Sequence, residues 1–290
     1  MKDNSSTKVE NSTDTTIAAI PCYVPCGLEL NKIYNESNLD TMKRMPDNFV
    51  DLTVTSPPYD GLRTYNGYSF PFEEIAQELY RVTKQGGVLV WVVSDATTNG
   101  TESGTSFRQA LFFKECGFNL HDTMIYKVAG TGAKGSNLAY WQSFEYMFVL
   151  SKGKPKTVNR LKDKKNVKAG TIGTTNKQAR DGVKTRLHPD GGTVVAEFGI
   201  RENVWEYAAG NGHGDYTGHP APFPEKLAAD HIYSWSNEND IVYDCFGGSG
   251  TTAKMAHKLK RNWILSEISK EYVQLAEKRI APYLAQTSLF

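Results

Sequence analysis

Apolar positions change period repeatedly between residues 28 and 150, and each change marks an element. Lys32 to Asn35 reads as a short strand, Leu39 to Met45 as a helix stopped by Pro46, and Val50 to Thr55 as a buried strand running into Ser56-Pro57-Pro58-Tyr59. Strand, helix, strand in that order predicts a parallel sheet. Ile75, Leu79 and Val82 share one helical face within Phe72 to Val82, and the β-branched run Val88 to Val93 follows a stop at Gln85-Gly86-Gly87. Phe107 to Cys116 is a helix closed by Gly117, ahead of strands over Thr123 to Val128 and Phe144 to Leu150. The rhythm resumes near the C-terminus: helix Leu227 to Trp235, strand Ile241 to Cys245, helix Thr251 to Leu259, strand Asn262 to Ile268 and helix Glu271 to Leu284. These elements predict an α/β fold with both sheet faces covered.

Two stretches follow neither period. Residues 1 to 20 are rich in Ser, Thr, Asn and Asp with almost nothing apolar before Ile17, which predicts a mobile tail. From Ser151 to about Gly192 the chain is basic and rich in Gly, Thr and Asn, the pattern of an inserted loop module or a segment that orders on binding. Net charge is only +1, yet Ser151 to Asp190 carries twelve Lys or Arg against three Asp, leaving −8 on the remaining chain. Positive charge is thus concentrated in one segment. At 290 residues and 39% hydrophobic, the chain suits one large domain or a core with an elaborated insert. No 18-residue apolar window exists and the start is polar, so a cytoplasmic protein with no membrane partner is expected. Cys22, Cys26, Cys116 and Cys245 are too scattered for a disulfide framework. Cys22 and Cys26 lack the nearby Cys or His pair that would complete a tetrahedral site, so no metal is expected.

Two constellations carry chemistry. Asp244-Cys245-Phe246-Gly247-Gly248-Ser249-Gly250-Thr251-Thr252 lies between a strand and a helix, where glycines let backbone approach a ligand at the helix N-terminus. Glu267, 23 residues after Asp244, ends the next strand, where a carboxylate can accept from two ribose hydroxyls. A nucleotide-type cofactor fits; a tight turn with no ligand is the alternative. NAD fits less well, because the third glycine of G-x-G-x-x-G is missing. In Thr55-Ser56-Pro57-Pro58-Tyr59-Asp60 two prolines fix φ and donate nothing, so nearby carbonyls are held as acceptors at a strand end. Ser56 adds an acceptor and Tyr59 a π face, which together match the exocyclic amino group of a flat base. A plain turn at a strand end is the alternative.

With these motifs the sequence from about residue 28 to 284 resembles the S-adenosylmethionine-dependent amino-group DNA methyltransferases. Ser56-Pro57-Pro58-Tyr59 is similar to their catalytic motif, and Asp244, Phe246, Gly248, Ser249, Gly250 and Thr251 fall in their cofactor motif, with Cys245 where proline is common. The segment His219-Pro220-Ala221-Pro222-Phe223-Pro224-Glu225 is similar to the one that helps hold the methionine end of the cofactor. Ser37-Asn38 stands where members often carry Asp-Cys, which assigns Asn38 to the adenine edge. The catalytic motif precedes the cofactor motif, the permuted order of the beta group.

The resemblance implies a Rossmann-like methyltransferase fold with a mostly parallel sheet of about seven strands and an inserted target-recognition region. It divides the chain into a catalytic half (28–150), a basic recognition insert (151–213) and an S-adenosylmethionine-binding half (214–290). It implies methyl transfer to a flipped base in double-stranded DNA, at N4 of cytosine given Ser56, with N6 of adenine as the alternative. A cognate restriction endonuclease and a homodimer are the further partners it suggests. The expected phosphate contacts are Lys152, Lys154, Lys156, Arg160, Lys162, Lys164, Lys165 and Lys168. The rivals are a catalytically silent DNA-binding subunit and an RNA or protein amide methyltransferase. Pro21-Cys22, Pro25-Cys26 and Glu202-Asn203-Val204 resemble motifs of cytosine carbon-5 methyltransferases, but their order and context are wrong for that family. His213 and His219 have Gly and Pro neighbours that suit loops better than a metal site.

Overall fold

A computed structural model describes residues 27–58, 70–129, 140–173, 176–178, 184–186, 192–208 and 224–286. The expected tail, Cys22, Cys26, Tyr59, His213, His219, Pro220 and Phe223 lie outside these residues. Eight strands build the main sheet: β1 (Lys32–Tyr34), β2 (Val50–Thr55), β3 (Thr83–Val93), β4 (Asn119–Ala129), β5 (Phe144–Ser151), β6 (Val204–Ala208), β7 (Ile241–Asp244) and β8 (Asn262–Ser266). Their spatial order is β1-β8-β7-β2-β3-β5-β4-β6. Only β5 is reversed, running antiparallel to both β3 and β4. This is the mostly parallel α/β architecture expected from the sequence.

Helices α1 (Asn38–Arg44), α2 (Phe72–Val82) and α3 (Thr105–Glu115) cover one face. Their Met42, Ile75, Leu79 and Phe113 pack with Leu89, Trp91 and Tyr243 of the strands. On the other face lie α4 (Glu225–Trp235), α5 (Thr251–Lys258) and α6 (Lys270–Gln286). There Leu227, Ile232, Ala253 and Ile280 meet Val54, Val90 and Leu265. All six residues of β2 are buried, as a central parallel strand covered on both faces requires. α1 starts where the Ser37 hydroxyl accepts from the Leu39 N–H at 3.3 Å, and it stops at Met45, whose ψ of 134° is the extended form imposed by Pro46.

Three features differ from the sequence expectation. β3 begins at Thr83, not Val88, because Gly86 and Gly87 form an irregularity inside the strand instead of a stop. Gly86 has φ +80°, and a Cβ at Gly87 would sit 2.9 Å from the Lys84 carbonyl oxygen. β6 belongs to the main sheet, parallel to β4, although it falls within the stretch 151–213. Its five residues alternate exposed and buried, a signal too short to stand out beside the basic run. The third difference is local order in that run. Lys164–Lys165 pairs with Phe198–Gly199, Ile172–Gly173 with Thr193–Val194, and Asn176–Gln178 with Lys184–Arg186, three nested antiparallel pairings.

Candidate active site

Parallel strands deliver their C-terminal ends to one edge, and both motifs meet there. β7 ends at Asp244 and leads into the glycine turn, which is fixed by Gly250 N–H donating to the Gly247 carbonyl at 2.8 Å. Gly250, the residue before α5, has φ +78°, and a Cβ there would lie 2.8 Å from Ala276 Cβ of α6. The close approach of α6 therefore requires glycine. Beyond the end of β8, Glu267 Oε2 accepts from the Gly248 N–H at 2.8 Å and Oε1 from the Ser269 N–H at 2.7 Å. Burial pushes the Glu267 carboxyl above its ordinary range, the backbone donors pull it back, and the charge of Asp244 raises it further. Asn38, buried at the start of α1, donates its amide to the Cys245 carbonyl at 3.1 Å, so α1 is tied to the same turn.

The Ser56-Pro57-Pro58 motif leaves the neighbouring strand. Thr55, the last residue of β2, donates its hydroxyl to Asp244 Oδ1 at 2.7 Å, and the Phe246 N–H donates to the same oxygen at 3.1 Å. In the first turn of α5, the Thr252 hydroxyl donates to the Val54 carbonyl at 3.3 Å. Ser56 and Pro58 are half-buried and Pro57 is buried. Burial drives the Asp244 carboxyl upward, against the hydrogen bonds from Thr55 and Phe246. Phe246 packs edge-on against Phe70, with centroids 5.7 Å apart, and Trp91 at 6.1 Å.

Sequence reasoning missed Arg279. Buried on α6, it donates to the Ser249 carbonyl at 2.6 Å, the Ser249 hydroxyl at 2.9 Å and Thr251 Oγ1 at 3.1 Å, clamping the glycine turn from behind. Its other terminal nitrogen reaches Glu225 Oε1 at 2.9 Å, an oxygen shared with Lys254 at 2.7 Å. Glu225 opens α4 just after Pro224, so the segment before α4 is linked to the same clamp. A signal existed: Arg279 lies between Ala276 and Ile280 on the apolar face of α6, where a charge must have partners.

The basic residues divide. Lys152 donates to the Tyr80 and Thr83 carbonyls at 2.8 and 2.9 Å, neutralising the C-terminus of α2. Lys156 pairs with buried Asp51 and with Asp240. Both follow β5, whose last residue Ser151 pairs with Val88 and Asn119 at the opposite end of the sheet from Ser56. Lys154 and Arg160 lie on this same far edge, Lys154 beside Gly86 and Arg160 in a cleft with His121 and Asp122. Lys164 pairs with Glu202, while Lys162, Lys165 and Lys168 are exposed. The eight cations thus do not form one surface beside the motifs, because the chain crosses the far edge before it reaches the paired segments.

Among the described residues no cluster of His, Cys, Asp and Glu could hold a metal, and no helix is long and apolar enough to cross a membrane. A sequence model described as DNA methylase, of the N6/N4 type, matches residues 50–278. The chain belongs to this family of amino-group DNA methyltransferases. Among its relatives, the orphan methyltransferase M.BamHII of Bacillus amyloliquefaciens is 58% identical over 245 residues, covering 81% of this chain and 90% of that protein. The type II methyltransferase M.BglII of Bacillus subtilis is 28% identical, covering 89% and 71%. The fold is shared with PvuII DNA methyltransferase (cytosine-N4-specific), at a TM-score of 0.62 and 20% identity over 89% of this chain and 92% of that one. It is shared also with M1.HpyAVI in its SAM complex, at 0.59 and 23% over 86% and 98%.

Proposed function

We propose that the protein is a site-specific methyltransferase that uses S-adenosylmethionine to methylate N4 of a cytosine extruded from double-stranded DNA. The observation that carries this reading is the hydrogen bond from Thr55 to Asp244, which joins the strand bearing Ser56-Pro57 to the glycine turn at one sheet edge. The residues fit the cofactor. Each Glu267 oxygen holds one backbone N–H and keeps acceptor capacity for a ribose hydroxyl. Gly248, Ser249, Gly250 and Thr251 bring backbone to the N-terminus of α5, and Asn38 stands beside Cys245 for the adenine edge. The methionine end falls to His219, Pro220, Phe223 and Pro224.

When bound, S-adenosylmethionine supplies an electrophilic methyl group on a sulfonium. The chain's residues orient the acceptor. A base amino lone pair is delocalised into the ring; the Ser56 hydroxyl and Pro57 carbonyl accept its hydrogens and favour a more pyramidal nitrogen aimed at the methyl carbon. The nitrogen gains the C–N bond and loses one proton past these acceptors to solvent, while the C–S electron pair stays on sulfur. No covalent enzyme intermediate is needed. Tyr59 is assigned to stacking on the extruded base, offsetting part of the few kcal/mol that extrusion costs.

Cytosine is favoured by Ser56, since N3 of cytosine is more basic than N1 of adenine and a neutral hydroxyl then suffices beside the amino group. The cytosine-N4 specificity in the name of the PvuII enzyme, which shares the fold, is compatible with this. Nucleoside mass spectrometry of DNA incubated with enzyme and labelled methyl donor is expected to find label in N4-methyldeoxycytidine. Label in N6-methyldeoxyadenosine alone would reassign the base and leave the rest of the reading intact.

Lys162, Lys165 and Lys168 are assigned to DNA phosphates, whereas Lys152 and Lys156 are engaged within the fold. The variant carrying Lys162→Ala, Lys165→Ala and Lys168→Ala should lose about 0.9 in the log–log salt slope of DNA binding per contact removed. An unchanged slope would make these three merely solvated.

A further inference from the structure

We infer that Thr55 is a positioning residue for methyl transfer: its buried hydroxyl, donating to Asp244, sets the distance between the Ser56 acceptor and the cofactor turn. The inference rests on the proposed function. Thr55 is 1% exposed and touches both motifs at once, preceding Ser56 in sequence and bonded to the first residue of Asp244-Cys245-Phe246 at 2.7 Å. The Cys245 thiol lies 3.7 Å from the same hydroxyl and points at it as a weak donor, so the Thr55 proton is directed to Asp244. Asp244 Oδ1 in turn holds the Phe246 N–H at 3.1 Å, which fixes the start of the glycine turn. A β-branched side chain has few rotamers on a strand, and burial at a strand end leaves this one little freedom to follow a shift of either motif.

Ladder bonds between β2 and β7 pair Leu52 with Val242 and Thr53 with Tyr243, and the Thr55 side chain continues the link past the last of these pairs. Loss of the hydroxyl would let the strand ends move by a fraction of an ångström, and a misplacement near 1 Å costs on the order of a hundredfold in rate.

The test compares Thr55→Val, nearly isosteric, with Thr55→Ser, which keeps the donor. Single-turnover methylation of DNA, the Kd for S-adenosylmethionine and the melting temperature are measured for both beside the intact enzyme. We expect Thr55→Val to slow turnover roughly 10- to 100-fold with cofactor Kd within about threefold, and Thr55→Ser to recover most of the rate. Wild-type turnover in Thr55→Val overturns the inference. So does a loss that Thr55→Ser shares, or one matched by equal losses of cofactor affinity and melting temperature, since those mark a packing role. Failure of the intact enzyme to methylate DNA at all would instead overturn the proposed function.

Discussion

Glu267→Ala should abolish most of the stabilisation that S-adenosylmethionine confers. A ligand at a hundredfold excess over its Kd raises stability by about 2.7 kcal/mol, and the intact protein should show a thermal shift of that origin. Glu267 is where the loss should be greatest, because one side chain both accepts from the Gly248 and Ser269 N–H groups and offers the remaining acceptor sites to a ribose. Alanine would strip two backbone donors of their partner, at about 1–3 kcal/mol for a buried group, so the variant should also melt earlier without cofactor. Differential scanning fluorimetry with and without cofactor separates the two effects. An intact protein with no shift, or a Glu267→Ala variant with a full one, would remove the cofactor assignment from this carboxylate.

The pH dependence of cofactor binding follows from the same group. Its carboxyl is raised above the ordinary value of 4.5, chiefly by burial, and a protonated oxygen is a poorer acceptor. Cofactor affinity should therefore fall as pH drops through this raised value, starting above pH 4.5, by at most one log unit per pH unit for one proton. Folding without cofactor has the opposite sign. The folded state binds this proton more tightly than the unfolded chain does, so the group's stabilising contribution is complete below its unfolded value and is lost as pH rises through the folded one.

Sequence made the candidate site legible wherever it is written in local backbone. Glycines between a strand and a helix, and prolines after a buried strand, constrain φ and hydrogen bonding whatever the surroundings, and the fold brings Ser56, Asp244, Gly248 and Glu267 to one edge. What stayed hidden depends on distant partners. Thr55 looks like any β-branched strand residue until Asp244, 189 positions away, is seen to accept its proton. Lys152 and Lys156 belong by composition to the basic run, but the carbonyls at the end of α2 and the carboxylate of Asp51 claim them. β6 was obscured for a similar reason: Trp205 and Tyr207 point inward alone, in a five-residue strand whose pairing with β4 spans about 80 positions.

Ser56→Ala should give the other large effect, a fall in the methyl-transfer rate on the order of a hundredfold, the usual cost of removing one preorganised polar group from a reacting centre. Cofactor affinity should be retained, because Glu267, Arg279 and Asn38 hold the glycine turn. Pro57→Ala should act more weakly. It keeps the carbonyl acceptor but frees φ, so the oxygen spends less time in reacting geometry. Rapid-quench single turnover with saturating cofactor and DNA isolates the chemical step, and equilibrium titrations supply the two Kd values. A lowered rate with unchanged affinities means that the hydroxyl acts on the transition state. Equal losses of rate and DNA affinity would mean that Ser56 only helps hold the extruded base, and the neutral-acceptor argument for cytosine would then lose its footing.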